Sequence, residues 1–430
     1  MYKINVTKMD KNGIKIELSY RIKIEVEKMQ LTEGELYWQK KSKIANTYPY
    51  LTKDTTCDVL VIGGGITGAI TAYFLAKEGA NVIVAEKNIL GFGSTSADSA
   101  LLEYQYESEM HRLEKNIGTK AANRVYNLSL GAIEKIDKID KEINGSTGFK
   151  RQDAIYYTNK FINKSSMAKE YNSRKKAGFN SYFIDSHSVI NLSSGILTKN
   201  ASGVLNPYLF TQNLFATLDE LENVKIYENT RIDNIKCVID GVKCTTNNKF
   251  KITAESVILA SGFETLKYLE KAPIELVRSF TIVSKPIKEL KNFDISFTAR
   301  DSSEPYHFLR FDNNGRIIFT GEEVKLTDKL MNEKVLKSVA NDKYKKLYNI
   351  LDKTLYNIPN IEIEYAFNNT VANTRDSLPI IDEIPGMPNT FCNLGFGGNG
   401  ILHNVIGGNM LKDAVKGFYT KDMNMFRINR

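Results

Sequence analysis

Residues 57–87 read CDVLVIGGGITGAITAYFLAKEGANVIVAEK, and no other stretch of the chain restricts its fold as tightly. Val59 to Ile62 is a branched apolar run too short for a helix, the mark of a buried parallel strand. Gly63, Gly65 and Gly68 follow it in GxGxxG spacing. Ile66, Ala69, Ile70, Tyr73 and Phe74 then recur at helical spacing until Gly79 ends the pattern. A second apolar run, Val82 to Ala85, stops at Glu86. In such a unit the first glycine permits the turn, the second lets the backbone approach a pyrophosphate, and the third lets helix and strand pack closely. Phosphates sit at the helix N-terminus, where free N–H groups and the dipole favour negative charge. Glu86 stands eighteen residues past Gly68, where a carboxylate accepts hydrogen bonds from an adenosine ribose and repels a 2′-phosphate. The unit implies a dinucleotide, disfavours NADP, and leaves NAD and FAD both open.

A chain of 430 residues exceeds one simple core, so two or more domains are expected. The net charge of +8 is mild for this length, and Lys and Arg are scattered among Asp and Glu. That pattern reads as a solvated surface and gives no sign of nucleic-acid binding, although an anionic substrate fits the sign. The four cysteines, Cys57, Cys237, Cys244 and Cys392, form no CxxC, and the four histidines build no metal constellation. No metal is expected, and a reducing, cytoplasmic setting is. The start is polar with no signal-like segment, and no apolar stretch is long enough to span a membrane.

From Ile14 to Val26 apolar and polar residues alternate strictly, and Asp10–Gly13 before them reads as a turn after a first strand holding Ile4 and Val6. A hairpin added to the main body is expected. The small and hydroxyl residues of 91–100 form a loop suited to phosphates or a ring system. Helices are expected over 108–143, 163–177, 209–221, 331–356 and 401–415. Strands are expected at 151–158, 180–185, 224–227, 256–262, 277–287, 295–300, 306–311, 316–320 and 360–367, with a small meander over 231–252. Residues 203–207 read as a turn.

Four stretches now fall into one order: DVLVIGGGITG with Glu86, GSTSADSALLEY at 93–104, VILASGFE at 257–264, and NLGFGGNGI at 393–401. Together they resemble the D-amino-acid oxidase/glycine oxidase (DAO) family of FAD-dependent oxidoreductases. GVLNPYLFTQ at 203–212, PYHFLRFDNNGRIIFTGEE at 305–323 and NTRDSLPIID at 373–382 also look like family positions, so the resemblance spans roughly 36–417. It implies an α/β (α+β overall) chain: a Rossmann-like FAD-binding domain interleaved with a mixed β-sheet substrate domain. The expected division is a hairpin extension at 1–35, FAD-binding parts at 36–150, 201–265 and 366–430, and substrate parts at 151–200 and 266–365.

The resemblance implies FAD held by Gly63, Gly65, Ile66, Thr67, Gly68, Glu86, Lys87, Gly93, Ser94, Thr95, Ser96, Ser261, Gly262, Gly395, Gly397, Gly398, Asn399, Gly400 and Ile401. Four glycines in the six residues 395–400 argue for close backbone approach to a flat ring, and Gly397, Gly398 and Asn399 are expected against the flavin pyrimidine. The implied reaction is hydride transfer from a small amine or amino acid to flavin N5, with oxygen or another acceptor reoxidising the cofactor. A 2-hydroxy acid or polyol phosphate, or a flavin-binding protein with a degenerate site, are the alternatives. Where amino-acid oxidases place an arginine for the substrate carboxylate, this chain has Val371. Arg310 and Arg375 stand as substitutes, and His307 joins them as a candidate catalytic residue facing either the pocket or the sheet. The oligomeric state is left open.

Overall fold

The protein is seen here as a computed structural model that describes residues 2–9, 15–22, 31–42, 46–143, 146–269, 274–356, 358, 360–395 and 397–430. Two sheets dominate. In the first, the Thr55–Ile62 strand lies between two parallel neighbours, Val82–Ala85 and Lys251–Leu259. Val224–Tyr227 extends one edge in parallel. On the other side, the first half of Lys251–Leu259 pairs with an antiparallel meander, Gly241–Thr246 and Ile232–Val238, and its last residues pair in parallel with Thr390–Leu394. Leu60, Val61, Val84 and Ile258 are fully buried; each contributes roughly 1.5–3 kcal/mol by leaving water. Helices Ile66–Lys77, Pro207–Asp219, Thr119–Glu142 and Gly400–Ala414 share one apolar core with this sheet.

The second sheet has ten strands. Its path runs Thr32–Gly34, Ile363–Thr374, Ile274–Ser284, Ile317–Lys325, Phe308–Phe311, Phe297–Asp301, Lys150–Thr158, Ser194–Val204 and Leu101–Glu103, with Ser181–Ile184 beside Ser194–Val204. Only Phe297–Asp301 and Lys150–Thr158 pair in parallel, so the sheet is mixed, as the sequence implied.

Three expectations change. Gly203 and Val204 end a strand, Ser194–Val204, and are not a turn; the helix after them starts at Pro207, capped by the Asn206 side chain, which accepts from Tyr208 N and Leu209 N. The expected boundary at 365/366 falls inside the continuous strand Ile363–Thr374, so residues up to 374 belong to the larger sheet. Thr32–Gly34 also joins that sheet. Tyr2–Met9 and Lys15–Ile22 do pair as an antiparallel ribbon, in a sheet of their own. The turn at 10–13 and the alternation beyond 22 lie outside the described residues.

Candidate active site

Ile62, Ala85, Leu259 and Leu394 are the last residues of four parallel strands, and all four line one cavity of about 320 Å³. Ligands of open α/β sheets bind in this place, outside the carboxyl ends of the strands. The larger sheet closes the cavity from the other side with Asn369, Thr370, Val371 and Ala372.

The glycine turn is shaped by protein packing. Gly63 has φ +119°, and a Cβ there would come within 2.5 Å of the Ala260 carbonyl oxygen. A Cβ on Gly68 would press into the Gly63 carbonyl. Strand, turn and helix therefore meet backbone to backbone. Thr95 Oγ1 accepts the first helical N–H, from Ile66, at 3.0 Å. Glu86 is held at the strand tip because its carboxylate accepts Gly64 N–H at 2.7 Å and Asn88 N–H at 2.8 Å. Burial raises its pKa, and those two N–H groups work against that rise. The cradle fits a dinucleotide: bare backbone at the glycine turn and a fixed carboxylate at the tip of the next strand, lining the same cavity.

At the other end, Gly395, Gly397 and Gly400 line the same cavity. Gly397 N–H donates to Ala372 O at 2.8 Å, tying this loop to the larger sheet. Gly398 N–H donates to Glu107 Oε1 at 2.8 Å. A Cβ on Gly398 would meet the Phe308 ring at 2.9 Å, and one on Gly397 would meet Glu107 Oε1 at 2.5 Å. Behind the loop, Arg300 stacks its guanidinium on Tyr306, 4.4 Å from the ring centre. Arg300 Nη1 and Nη2 donate to the carbonyls of Tyr106 and Glu107 at 2.5 and 2.6 Å. Glu323 receives Asn373 Nδ2 at 3.1 Å. Burial first, and then the like charge of Glu107, push the Glu323 carboxyl up to about 8.

Of the residues expected to hold the cofactor, Gly63, Gly65, Ile66, Thr67, Glu86, Lys87, Gly93, Ser94, Thr95, Ser261, Gly262, Gly395, Gly397 and Gly400 line the cavity. Gly68, Ser96, Gly398, Asn399 and Ile401 do not. Gly68 sits under the turn, and Ser96 Oγ donates to the Gly93 carbonyl. Asn399 precedes the Gly400–Ala414 helix without a capping hydrogen bond and donates its amide to the Gln105 carbonyl. Ile401 is core.

The three candidate catalytic residues do not line the cavity either. His307 is buried between Asp301 (2.7 Å) and Glu322 (3.3 Å) and stacks on Phe319. Burial lowers its pKa, but the two carboxylates outweigh burial and raise it. Glu322 is also bonded by Lys343 and Lys346 of the helix Glu333–Thr354, so His307 serves the outer face of the sheet. Arg310 does share a face with Phe308, as alternation implied, but its Nη1 is spent on the carbonyls of Ser99, Ala100 and Leu205 at 2.6–3.0 Å. Arg375 is exposed. Neither guanidinium is placed to meet a substrate at the cavity.

Sequence reasoning expected a pocket lined from 305–310 and 371–376, which includes Asn373, and missed Glu107, Arg300 and Glu323. One signal was available: two adjacent acids, Glu322 and Glu323, in the otherwise apolar strand Ile317–Lys325. The strand bulges there. Arg278 pairs with Val324 and Phe280 with Gly321, so Glu322 and Glu323 together oppose Ser279, and Glu322 takes φ +56°. Bulges re-aim side chains beside functional sites; this one sends Glu322 to the outer helix and Glu323 to Asn373.

A sequence profile described as FAD dependent oxidoreductase (DAO) matches residues 58–414. The Bacillus subtilis protein YhfW, named as a Rieske 2Fe-2S iron–sulfur protein, is 29% identical over 236 residues, which cover 53% of this chain and 44% of that protein. The chain thus matches under half the length of that relative. OrdL of Haemophilus influenzae, named as an oxidoreductase, is 22% identical over 86% of this chain and 85% of its own. Among solved structures, glycine oxidase from Geobacillus kaustophilus superposes with a TM-score of 0.69 at 18% identity, over 87% of this chain and 99% of that one.

Proposed function

Since the chain belongs to the DAO family of FAD-dependent oxidoreductases, we propose that it oxidises a small amine or amino acid at the carbon beside nitrogen. Its cofactor is FAD. FAD, when bound, supplies the acceptor for a hydride leaving that carbon. The observation that supports the reading is the single cavity that runs from the Glu86 cradle to the Gly395–Gly400 loop and is roofed by the larger sheet. A dinucleotide dehydrogenase with an open site has no need of that second loop or that roof. The glycine oxidase likeness brings amine chemistry to this chain as part of the proposal.

Each residue has a task in this reading. Glu86 holds the ribose, and the helix N-terminus at Ile66 faces the pyrophosphate. Gly395, Gly397 and Gly400, bare of side chains, let the backbone lie against the ring. The 305–308 and 371–373 segments, with Glu107 and Glu323, border the reacting end. Four free cysteines, two of them buried, fit a reducing, cytoplasmic setting. No helix among the described residues is long and apolar enough to cross a membrane.

The test is anaerobic loss of the flavin's visible absorbance across a panel of amines, amino acids, 2-hydroxy acids and polyol phosphates. Bleaching by an amine or amino acid is the expected result. Subsequent exposure to oxygen, or to an artificial dye, identifies the acceptor. A protein that stays colourless with excess FAD and takes up NAD would falsify the reading.

A further inference from the structure

Resting on that reading, the geometry points to a recess behind the Gly397–Gly398 loop that takes a cationic amine bearing no carboxylate beside the reacting carbon, with Glu107 and Glu323 as its partners. Its residues do not line the cavity itself but stand next to the cavity wall at Ala372 and Gly397, which are hydrogen-bonded to each other. Glu107, Tyr306, Glu323 and Asn373 border the recess, and all four keep partial solvent access. They come from separate parts of the chain and serve no common packing purpose: Glu107 follows the Leu101–Glu103 strand, Glu323 sits on a bulge, and Asn373 lies near the end of Ile363–Thr374.

Its polar groups are incompletely satisfied, which the interior of a finished fold avoids. The Tyr306 hydroxyl is buried beside Glu107 without a well-formed hydrogen bond. Arg300 is 6% exposed, and its Nε has no partner among the described residues. The Asn373 Oδ1 is also buried and unpaired. A ligand with N–H donors would answer Tyr306 and Asn373 as well as the two carboxylates.

Charge decides what kind of ligand. Arg300 is the one described cation found against Tyr306, and it cannot offer the two-pronged grip that arginine gives a carboxylate. Both of its Nη atoms hold backbone carbonyls and its face is covered by the Tyr306 ring. Lys87, Arg231 and Lys267, the cations that line the cavity, stand near Glu86 at the opposite end. Arg300 stands against two carboxyl groups, Glu103 and Glu107. Glu323 adds a further carboxyl, which burial and Glu107 hold protonated and neutral at neutral pH, against the opposing pull of Asn373 and Arg300. When a cation enters, Glu323 gives its proton to bulk water, and the carboxylate then neutralises the guest. An anion gains nothing by the same exchange and meets Glu107 directly. The recess therefore favours an ammonium over a carboxylate or phosphate.

The experiment uses flavin-loaded enzyme, its loading confirmed by visible absorbance, and two probes of similar shape and opposite charge: tert-butylammonium and pivalate. The ammonium has no hydrogen on the carbon beside nitrogen, so calorimetry reads binding without turnover. The expected result is that tert-butylammonium binds about tenfold or more tighter than pivalate. Repeating the titration at pH 7 in two buffers of different ionisation enthalpy should show about one proton released per cation, since Glu323 gives up its proton on binding. Glu323→Gln should abolish the proton release, and Glu107→Gln should weaken the cation by about tenfold. Equal or tighter binding of pivalate, no binding of tert-butylammonium, or cation binding with no proton release in wild type each overturns the proposal. None of those three needs a variant to fold. A protein that takes up no FAD overturns the preceding reading along with it, whereas a flavin-loaded protein that prefers pivalate overturns this one alone.

Discussion

Glu86, at the strand tips of the cavity, and Glu323, in the recess proposed above, are both partly buried, and they are held in opposite ways. Glu86 accepts two backbone N–H groups from residues close in sequence, and its place follows from a strand, a glycine turn and a helix. Glu323 accepts one side-chain amide from a residue fifty positions away and faces the like charge of Glu107. The first end is built from local backbone and is rigid before anything binds. The second is assembled from distant strands of the larger sheet, and in the proposal its charge depends on what occupies it. A cofactor that stays bound and a substrate that comes and goes call for that difference.

The largest effect should come from attacking the local end at its backbone. Gly68→Ala puts a methyl group into the Gly63 carbonyl, where no side chain can yield. We expect a loss of about 3 kcal/mol or more, read by denaturant unfolding, together with loss of FAD. A variant that keeps both would show that the turn can relax and that its rigidity is not what holds the cofactor.

Arg310 tests whether the two ends are separate. Arg310→Met leaves the carbonyls of Ser99, Ala100 and Leu205 without their donor, a loss of roughly 2–3 kcal/mol. Substrate affinity per folded molecule should stay unchanged. Arg375→Met, on an exposed side chain, should move stability by no more than about 0.5 kcal/mol. A selective loss of substrate binding in either variant would return that arginine to the reacting end.

Glu86→Ala should cost little fold stability, about 1 kcal/mol, because its two N–H partners can turn to water. Its effect should appear in FAD affinity, about tenfold to hundredfold weaker, measured by recovery of flavin fluorescence on dilution. Equal affinity would mean that the adenosine half lies elsewhere.

The contrast also explains what could be read from sequence. The Glu86 cradle was legible because its residues are neighbours in the chain and each glycine has a backbone reason. The interleaving of two sheets was legible from the order of four motifs. Alternation placed Tyr306, Phe308 and Arg310 on one face correctly. It could not say that Arg310 was already committed to three carbonyls from residues 99–205, because those partners are distant in sequence. Nor could alternation place Glu323, since a bulge breaks the period at that pair. Net charge could not locate the charges either: +8 over the chain says nothing of where Glu107 and Glu323 stand.

The pH dependence of Glu323 is the sharpest test of the comparison, because it has a sign. Glu323 is raised from an ordinary carboxylate value near 4.3 to about 8 in the folded protein, first by burial and then by Glu107. A carboxyl raised in this way favours the fold while protonated. Its contribution is fully present below the unfolded value and is lost as pH rises through the folded one. Wild type should therefore lose stability between about pH 4 and pH 8 through this group. Glu323→Gln resembles the protonated acid and cannot ionise. Wild type and variant should melt together at pH 4, with the variant ahead by pH 9. The gain should be on the order of 1–2 kcal/mol, discounted because Glu323 keeps partial solvent access. Glu107→Gln should narrow that window from its upper end, since removing the like charge lets Glu323 ionise at lower pH. The neighbouring Arg300 stays charged throughout and the Tyr306 phenol stays protonated, its pKa well above normal, so neither produces the same signature. A difference in melting temperature between wild type and Glu323→Gln that is flat from pH 4 to pH 9 would mean that Glu323 is ionised and satisfied like Glu86, and that the two ends are built alike.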